Sequence, residues 1–195
     1  MTEISPKKQQ IYLEAARLFH HRGYAATSMR AIADAVDLEV SSLYSHIRSK
    51  EELLHEICFR VAGQFLEAIR QIRQKWDDPR VQLEELLRFH LRLALEDPTS
   101  ATVFSDEWKH LRTDELAVFL DQRKQYEQQF LGIIREGQAT GIFRDQQANW
   151  IMHTMISSLS WLYRTRTNWK QGEQEQLMAL LLTMNMNGII KSNSL

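Results

Sequence analysis

At 195 residues the chain is long enough to bury a substantial core, as one compact body or as a small domain on a larger one. A formal net charge of −1 excludes a generally basic nucleic-acid coat; residues 1–50 carry seven Lys or Arg against five Asp or Glu and the remainder 17 against 20, so any nucleic-acid contact must be local. A single cysteine, Cys58, excludes an internal disulfide, and neither an apolar leader nor an uninterrupted apolar span is present, so a cytoplasmic chain with no membrane span is expected.

Three prolines and seven glycines interrupt long helical periodicities, and the chain reads as all-α with about nine helices. A first helix is expected from about Lys7 to Arg22, with Ile11, Ala15, Leu18 and Phe19 inward and Gly23 as its stop. A second begins near Ser28 and places Met29, Ile32, Ala33 and Val36 on one face. The turn Asp37-Leu38-Glu39 follows, with Asp37 where the chain should visit positive φ and Leu38 as a plug between helices. A third helix, about Val40 to Ile47, turns Val40, Leu43 and Ile47 inward and leaves Ser41, Ser42, Tyr44, Ser45 and His46 outward. Two short helices joined by a three-residue turn are the layout of a helix-turn-helix, whose second helix enters the DNA major groove.

The fourth helix opens on a Ser49-x-x-Glu52 capping box and persists to about Trp76. Asp77-Asp78-Pro79 and Asp97-Pro98-Thr99 bracket a helix from Arg80 to Glu96, and a shorter one is expected over Ser100 to Leu111. Thr113, followed by Asp114 and Glu115, opens a long helix that ends between Gly137 and Gly141. The last two helices, about Gln146 to Trp169 and Glu173 to Ile190, contain the charge-free runs 146–163 and 176–190. Helices without a charged face are expected to be covered on both sides, by the chain's own core and by a second subunit.

The elements Gly23-Tyr24, Thr27, Leu43-Tyr44-Ser45-His46-Ile47 and Ser49-Lys50-Glu51-Glu52-Leu53-Leu54 together resemble the DNA-binding domain of TetR-family transcriptional regulators. The resemblance covers roughly the first quarter of the chain. It departs from the family at Asp37, where Gly is usual, and at Glu39-Val40, where Ser-Lys is frequent. It implies a DNA-binding domain over residues 1–48 and an effector-binding and dimerisation domain over 49–195, a homodimer through the last two helices, and a palindromic double-stranded operator. The segments 103–111, 123–143 and 157–164 resemble, more loosely, members that sense acyl-CoA thioesters.

Candidate DNA contacts are Thr27, Ser41, Ser42, Tyr44, Ser45, His46 and Lys50. Thr27 reads equally as a helix cap; Tyr44 and His46 read as phosphate or base contacts ahead of core residues, and Lys50 at a helix N-terminus as a phosphate clamp ahead of a solvated cation. Candidate effector contacts are Phe89, Phe104, Trp108, Arg123, Tyr126, Phe130, His153, Ser157 and Trp161, each also readable as packing. Arg88, Arg92, Lys109 and Arg112 join Arg123 as possible partners of a CoA phosphate. The stripe His153, Ser157, Ser160, Arg164 supplies either polar anchors or small residues for dimer packing.

Two Glu-x-x-His units, Glu52…His55 and Glu107…His110, have the spacing used by di-metal helical bundles and keep a metal-dependent enzyme open as an alternative. A DNA-binding dimer without effector is another. No phosphate loop, nucleophile elbow or Cys-x-x-Cys pair is present, so no cofactor and no catalysis are expected. The resemblance therefore implies a repressor released from DNA by a small amphipathic effector such as an acyl-CoA.

Overall fold

The computed structural model describes residues 5–165 and 169–191. Among them the helices are α1 (Pro6–Arg22), α2 (Met29–Ala35), α3 (Val40–Tyr44), α4 (Lys50–Lys75), α5 (Pro79–Glu96), α6 (Pro98–Asp106), α7 (Thr113–Ala139), α8 (Ala148–Arg164) and α9 (Gln171–Ile189), with a 3₁₀ turn at Trp108–His110 between α6 and α7.

Local chemistry sets most of the ends. Ser5 accepts the Lys8 N–H at 3.3 Å ahead of Pro6, and Asp78 accepts the Arg80 N–H at 2.8 Å ahead of Pro79. Each proline stands where a helix has no use for its missing N–H. Gly23, at φ 82°, ends α1 and donates its N–H to Phe19.

Several boundaries differ from the sequence reading. The cap of α2 is Ser28, whose hydroxyl accepts the Ala31 N–H at 3.2 Å, and not Thr27. α3 stops at Tyr44 and not Ile47, because Ser45 turns its hydroxyl back to the Ser42 carbonyl and the His46 and Ile47 N–H groups share the Leu43 carbonyl. The expected helix over 100–111 is α6 from Pro98 followed by the 3₁₀ turn, since a proline is welcome in a first turn. α8 ends at Arg164 with Thr165 extended, so the expected continuation to Trp169 is not made; residues 166–168 of that reading lie outside the described residues. α9 starts ahead of Glu173, whose carboxylate accepts the Lys170 N–H at 2.8 Å.

The chain forms two compact units, residues 1–63 with 99–121, and residues 64–98 with 122–195. In the first, α1, α2 and α3 close on Ile11, Phe19, Ile32, Leu43, Ile47 and Leu54, all essentially inaccessible. Val103, Leu111 and Phe119 from the middle of the sequence join the same core, with Phe59, Phe104 and Trp108 packed against it.

In the second unit α5 packs on α8 and α9, and α8 on α9, burying Leu83, Leu87, Leu91, Met155, Leu159 and Leu182. The end of α9 is fastened to the α7–α8 connection: Phe143 and Ile190 form a β-bridge, with Arg144 N–H to Ile189 at 2.8 Å and Lys191 N–H to Ile142 at 3.0 Å. Phe143 lies so close over Gly137 that a Cβ there would fall inside its ring.

Candidate DNA interface and effector core

The helix-turn-helix is built from α2, the turn 36–39 and α3. Asp37 has φ 54°, the positive value expected for it, and is the only non-glycine residue with positive φ among those described. That bend lets the Leu38 N–H reach the Ala33 carbonyl at 3.0 Å and directs its half-buried side chain onto the core. Leu43 and Ile47, fully buried, and half-buried Val40 anchor α3. The helical period then turns Ser41, Ser42, Tyr44 and Ser45 to solvent, with Tyr44 51% exposed, and leaves His46 half-buried.

Two of the candidate DNA residues hold backbone instead of facing outward. Thr27 is buried, and its hydroxyl donates to the Gly23 carbonyl at 2.9 Å. The Lys50 ammonium donates to the carbonyls of Tyr24 and Thr27 at 3.0 and 2.9 Å and lies 4.3 Å from the centroid of the Tyr24 ring. Together they tie the loop before α2 to the start of α4. Burial, with Glu51 beside it, pushes the Tyr24 phenol up to about 12, so it stays protonated as a donor.

The Ser49 hydroxyl accepts the Glu52 N–H at 3.3 Å, while the Glu52 carboxylate reaches the Arg48 N–H at 2.8 Å and the Lys8 ammonium at 3.1 Å. Burial alone would raise the Glu52 pKa; these donors hold it below the ordinary value. The other acid of the Glu-x-x-His units, Glu107, and the histidine of the first such unit, His55, also have local partners. Glu107 pairs with its own His110 at 3.4 Å, and His55 lies 3.2 Å from Glu115. No group of three or more His, Cys, Asp or Glu side chains among the described residues could hold a metal ion.

The candidate effector residues do not form one group. Phe104 and Trp108 belong to the first unit and pack on Phe119, with ring centroids 5.5 and 6.1 Å away. Phe89, Tyr126 and Phe130 belong to the second, where with Phe65 they surround His90. His153, Ser157 and Trp161 lie on the exposed side of α8, Trp161 at 42%, as does Arg164. Arg123 is exposed and paired with Glu127 at 3.1 Å, Arg88 reaches Glu84 and Glu85, and Arg112 reaches Glu115 at 2.7 Å. Arg92 and Lys109 are exposed.

The polar centre of the second unit is His90, which is not among the candidate effector contacts of the sequence analysis. Its Nε2 lies 2.6 Å from the Tyr126 hydroxyl and its Nδ1 3.5 Å from that of Tyr163. Burial lowers the His90 pKa to about 4 and raises both phenols, so the cluster is neutral at pH 7. Helical spacing places His90 on the apolar stripe of α5, but its partners on α7 and α8 have no signature in sequence.

Residues 11–57 match the family described as bacterial regulatory proteins, tetR family, and residues 76–164 match the tetracyclin repressor-like C-terminal domain. The chain is 30% identical over 141 residues to the HTH-type transcriptional repressor KstR2 of Rhodococcus jostii (strain RHA1), covering 72% of this chain and 69% of that one. The ketosteroid transcriptional regulator KstR2 of Mycobacterium tuberculosis superposes with a TM-score of 0.90 at 22% identity, over 97% of this chain and 98% of that one. AibR in complex with isovaleryl coenzyme A and operator DNA superposes with a TM-score of 0.80 at 23% identity, over 91% and 97% of the two chains. An outward-facing recognition helix on a helical body, matched by both family models, makes this chain a member of the TetR family of DNA-binding transcriptional regulators.

Proposed function

We propose that the protein is a homodimeric repressor that holds a palindromic operator and releases it on binding a small amphipathic effector, an acyl-CoA thioester in the first instance. The observation that carries the reading is α3: an anchored inner face of Leu43 and Ile47 beneath an outer face of Ser41, Ser42, Tyr44 and Ser45. Serine hydroxyls and a phenol suit base edges and phosphates, and His46 flanks them. Thr27 and Lys50 serve the site through the loop they hold. Residues 1–48 carry the DNA contacts and residues 49–195 bind effector and dimerise, while 99–121 pack with the DNA-binding part.

Dimerisation through α8 and α9 is supported by what their outer faces leave uncovered. Trp150 is 66%, Leu180 55% and Met184 63% exposed, and a groove of about 760 Å³ is lined by Trp150 and Thr154 of α8 with Met184 and Gly188 of α9. A second copy about a two-fold axis covers this face and sets two recognition helices one DNA turn apart. The effector class is supported by AibR, whose structure holds isovaleryl coenzyme A, and by the aromatic surroundings of His90. An effector that binds more tightly to the arrangement unfit for DNA weakens operator binding by the same coupling free energy, typically ~1–3 kcal/mol. Binding alone accounts for this activity, and no catalytic step is invoked. Such a regulator works in the cytoplasm, where its operator lies; no described helix is long and apolar enough to cross a membrane.

The test is selection of operators from random duplexes, followed by titration of the complex with acyl-CoAs, the matching free acids, free CoA and a ketosteroid. A two-fold symmetric site released by an acyl-CoA is the expected result. Failure to select any sequence overturns the regulator reading. Selection without release by any acyl-CoA overturns the effector class and leaves a ketosteroid or an effector-independent dimer.

A further inference from the structure

The polypeptide passes between the two units within α4 at 63–64, in the first turn of α6 at 98–99, and within α7 at 121–122. Two of these three crossings are the ends of one segment, 99–121. α7 runs unbroken from Thr113 to Ala139 through its crossing, so its later turns and that segment share one hydrogen-bonded helix.

Within the segment, the turn Glu107–His110 meets the loop that opens the helix-turn-helix. The His110 imidazole is stacked on the Tyr24 ring, with centroids 5.2 Å apart and planes at 25°. Glu107 orients that imidazole from 3.4 Å and stands 3.7 Å from where a Cβ on Gly23 would be. Tyr24 is itself a junction. Its carbonyl and ring hold the Lys50 ammonium at the start of α4, its ring meets Phe19 of α1 edge-on at 5.2 Å, and its phenol bonds Glu51. A shift of the 107–110 turn therefore bears on the ring that joins α1 to α4, the two helices flanking α2 and α3.

We propose that His110, oriented by Glu107 and stacked on Tyr24, is a positioning residue for the recognition helix, and that the 99–121 segment is a second route, beside α4, by which effector binding alters operator affinity. The regulatory half of this inference rests on the effector-released repressor reading above.

The experiment compares the full-length wild type with His110→Ala, His110→Phe and Glu107→Gln, measuring affinity for a selected operator and for a random duplex at one fixed pH. His110→Ala is expected to weaken operator binding about three- to tenfold, the size set by one aromatic pair, and to leave random-duplex binding unchanged. His110→Phe keeps the stack and should restore near wild-type operator affinity. Glu107→Gln should fall between the two, and it serves as the test together with His110→Phe if His110→Ala does not fold. Both His110→Ala and Glu107→Gln should also narrow the effector-induced change in affinity.

Unaltered operator affinity in His110→Ala, equal losses on operator and random duplex, or no rescue by His110→Phe would overturn the positioning role. Lost affinity with an unaltered effector response would overturn the second route alone. A wild type that selects no operator overturns the functional reading, and this inference with it; a wild type that binds normally beside an unaffected His110→Ala overturns only this inference.

Discussion

In the first unit buried Thr27 and half-buried Lys50 hold backbone: Thr27 donates to the Gly23 carbonyl, and Lys50 ties the carbonyls of Tyr24 and Thr27. In the second, side chains hold one another at His90 of α5, which lies between Tyr126 of α7 and Tyr163 of α8 among phenylalanine rings. The first arrangement stabilises a chain bend, and a bend recurs wherever the same local residues recur. The second needs three helices brought from distant parts of the chain, and it places neutral polar groups where a ligand with a carbonyl or hydroxyl could be read. The Thr27–Lys50 cluster thus keeps a surface in a fixed shape, and the His90 cluster keeps polarity inside.

The largest effect that would break this comparison lies on the outer face of α8 and α9. Met184→Arg changes a residue that is 63% exposed in the single chain, so the fold of the chain should survive while the proposed dimer fails to form, because burying an unpaired charge at an interface costs several kcal/mol. Light scattering beside a thermal melt checks it; a variant that remains dimeric at micromolar concentration would move the interface elsewhere.

The next largest concerns His90. Its folded pKa of about 4 lies below the ordinary 6.5, so between those values the unfolded chain binds more protons than the native one, and stability rises with pH. The contribution is complete above pH 6.5 and lost as pH falls toward 4, on the order of 3 kcal/mol in total. Urea unfolding at pH 7, 5 and 4 should show that loss in the wild type and a shallower one in His90→Gln. Equal slopes would mean that the imidazole does not stay neutral inside the core.

Lys50 sharpens the contrast from the other side. If the ammonium acts by holding the loop, Lys50→Ala should weaken operator binding while leaving the salt dependence of binding unchanged. A slope lowered by about one counterion would place it on a phosphate instead. The smallest effect is expected at Asp37. Glycine adopts φ 54° without strain, so Asp37→Gly should raise the unfolding free energy by up to about 1 kcal/mol, and loss of a carboxylate beside α3 should tighten DNA binding slightly. A destabilised variant would show that the aspartate side chain has a local bond worth more than the strain.

Much of the first unit was legible before folding, because its determinants lie within a few residues of each other. The positive φ at Asp37, the inward Leu43 and Ile47, the outward serines and the stop at Gly23 all follow from helical period and turn chemistry. The same logic misassigned the cap to Thr27 when Ser28 makes it: two adjacent hydroxyls are equal as caps, and only the path of the chain back from α1 turns one of them toward Gly23. It also ran α3 on to Ile47, since an apolar period does not register where a serine bends back on its own helix.

By itself the sequence determined the all-helical class, the helix-turn-helix and the family, since each rests on periodicity or on residues close in the chain. Only the tertiary structure decided which aromatic side chains share a core. Phe104 and Trp108 pack with Phe119 in the unit that carries the DNA-binding helices, and Phe89, Tyr126 and Phe130 gather round His90 in the other. The stacking of His110 on Tyr24, 86 positions earlier in the chain, was decided there too. Such contacts depend on which helices come to lie side by side, and hydrophobic period specifies that a face is buried without specifying against what.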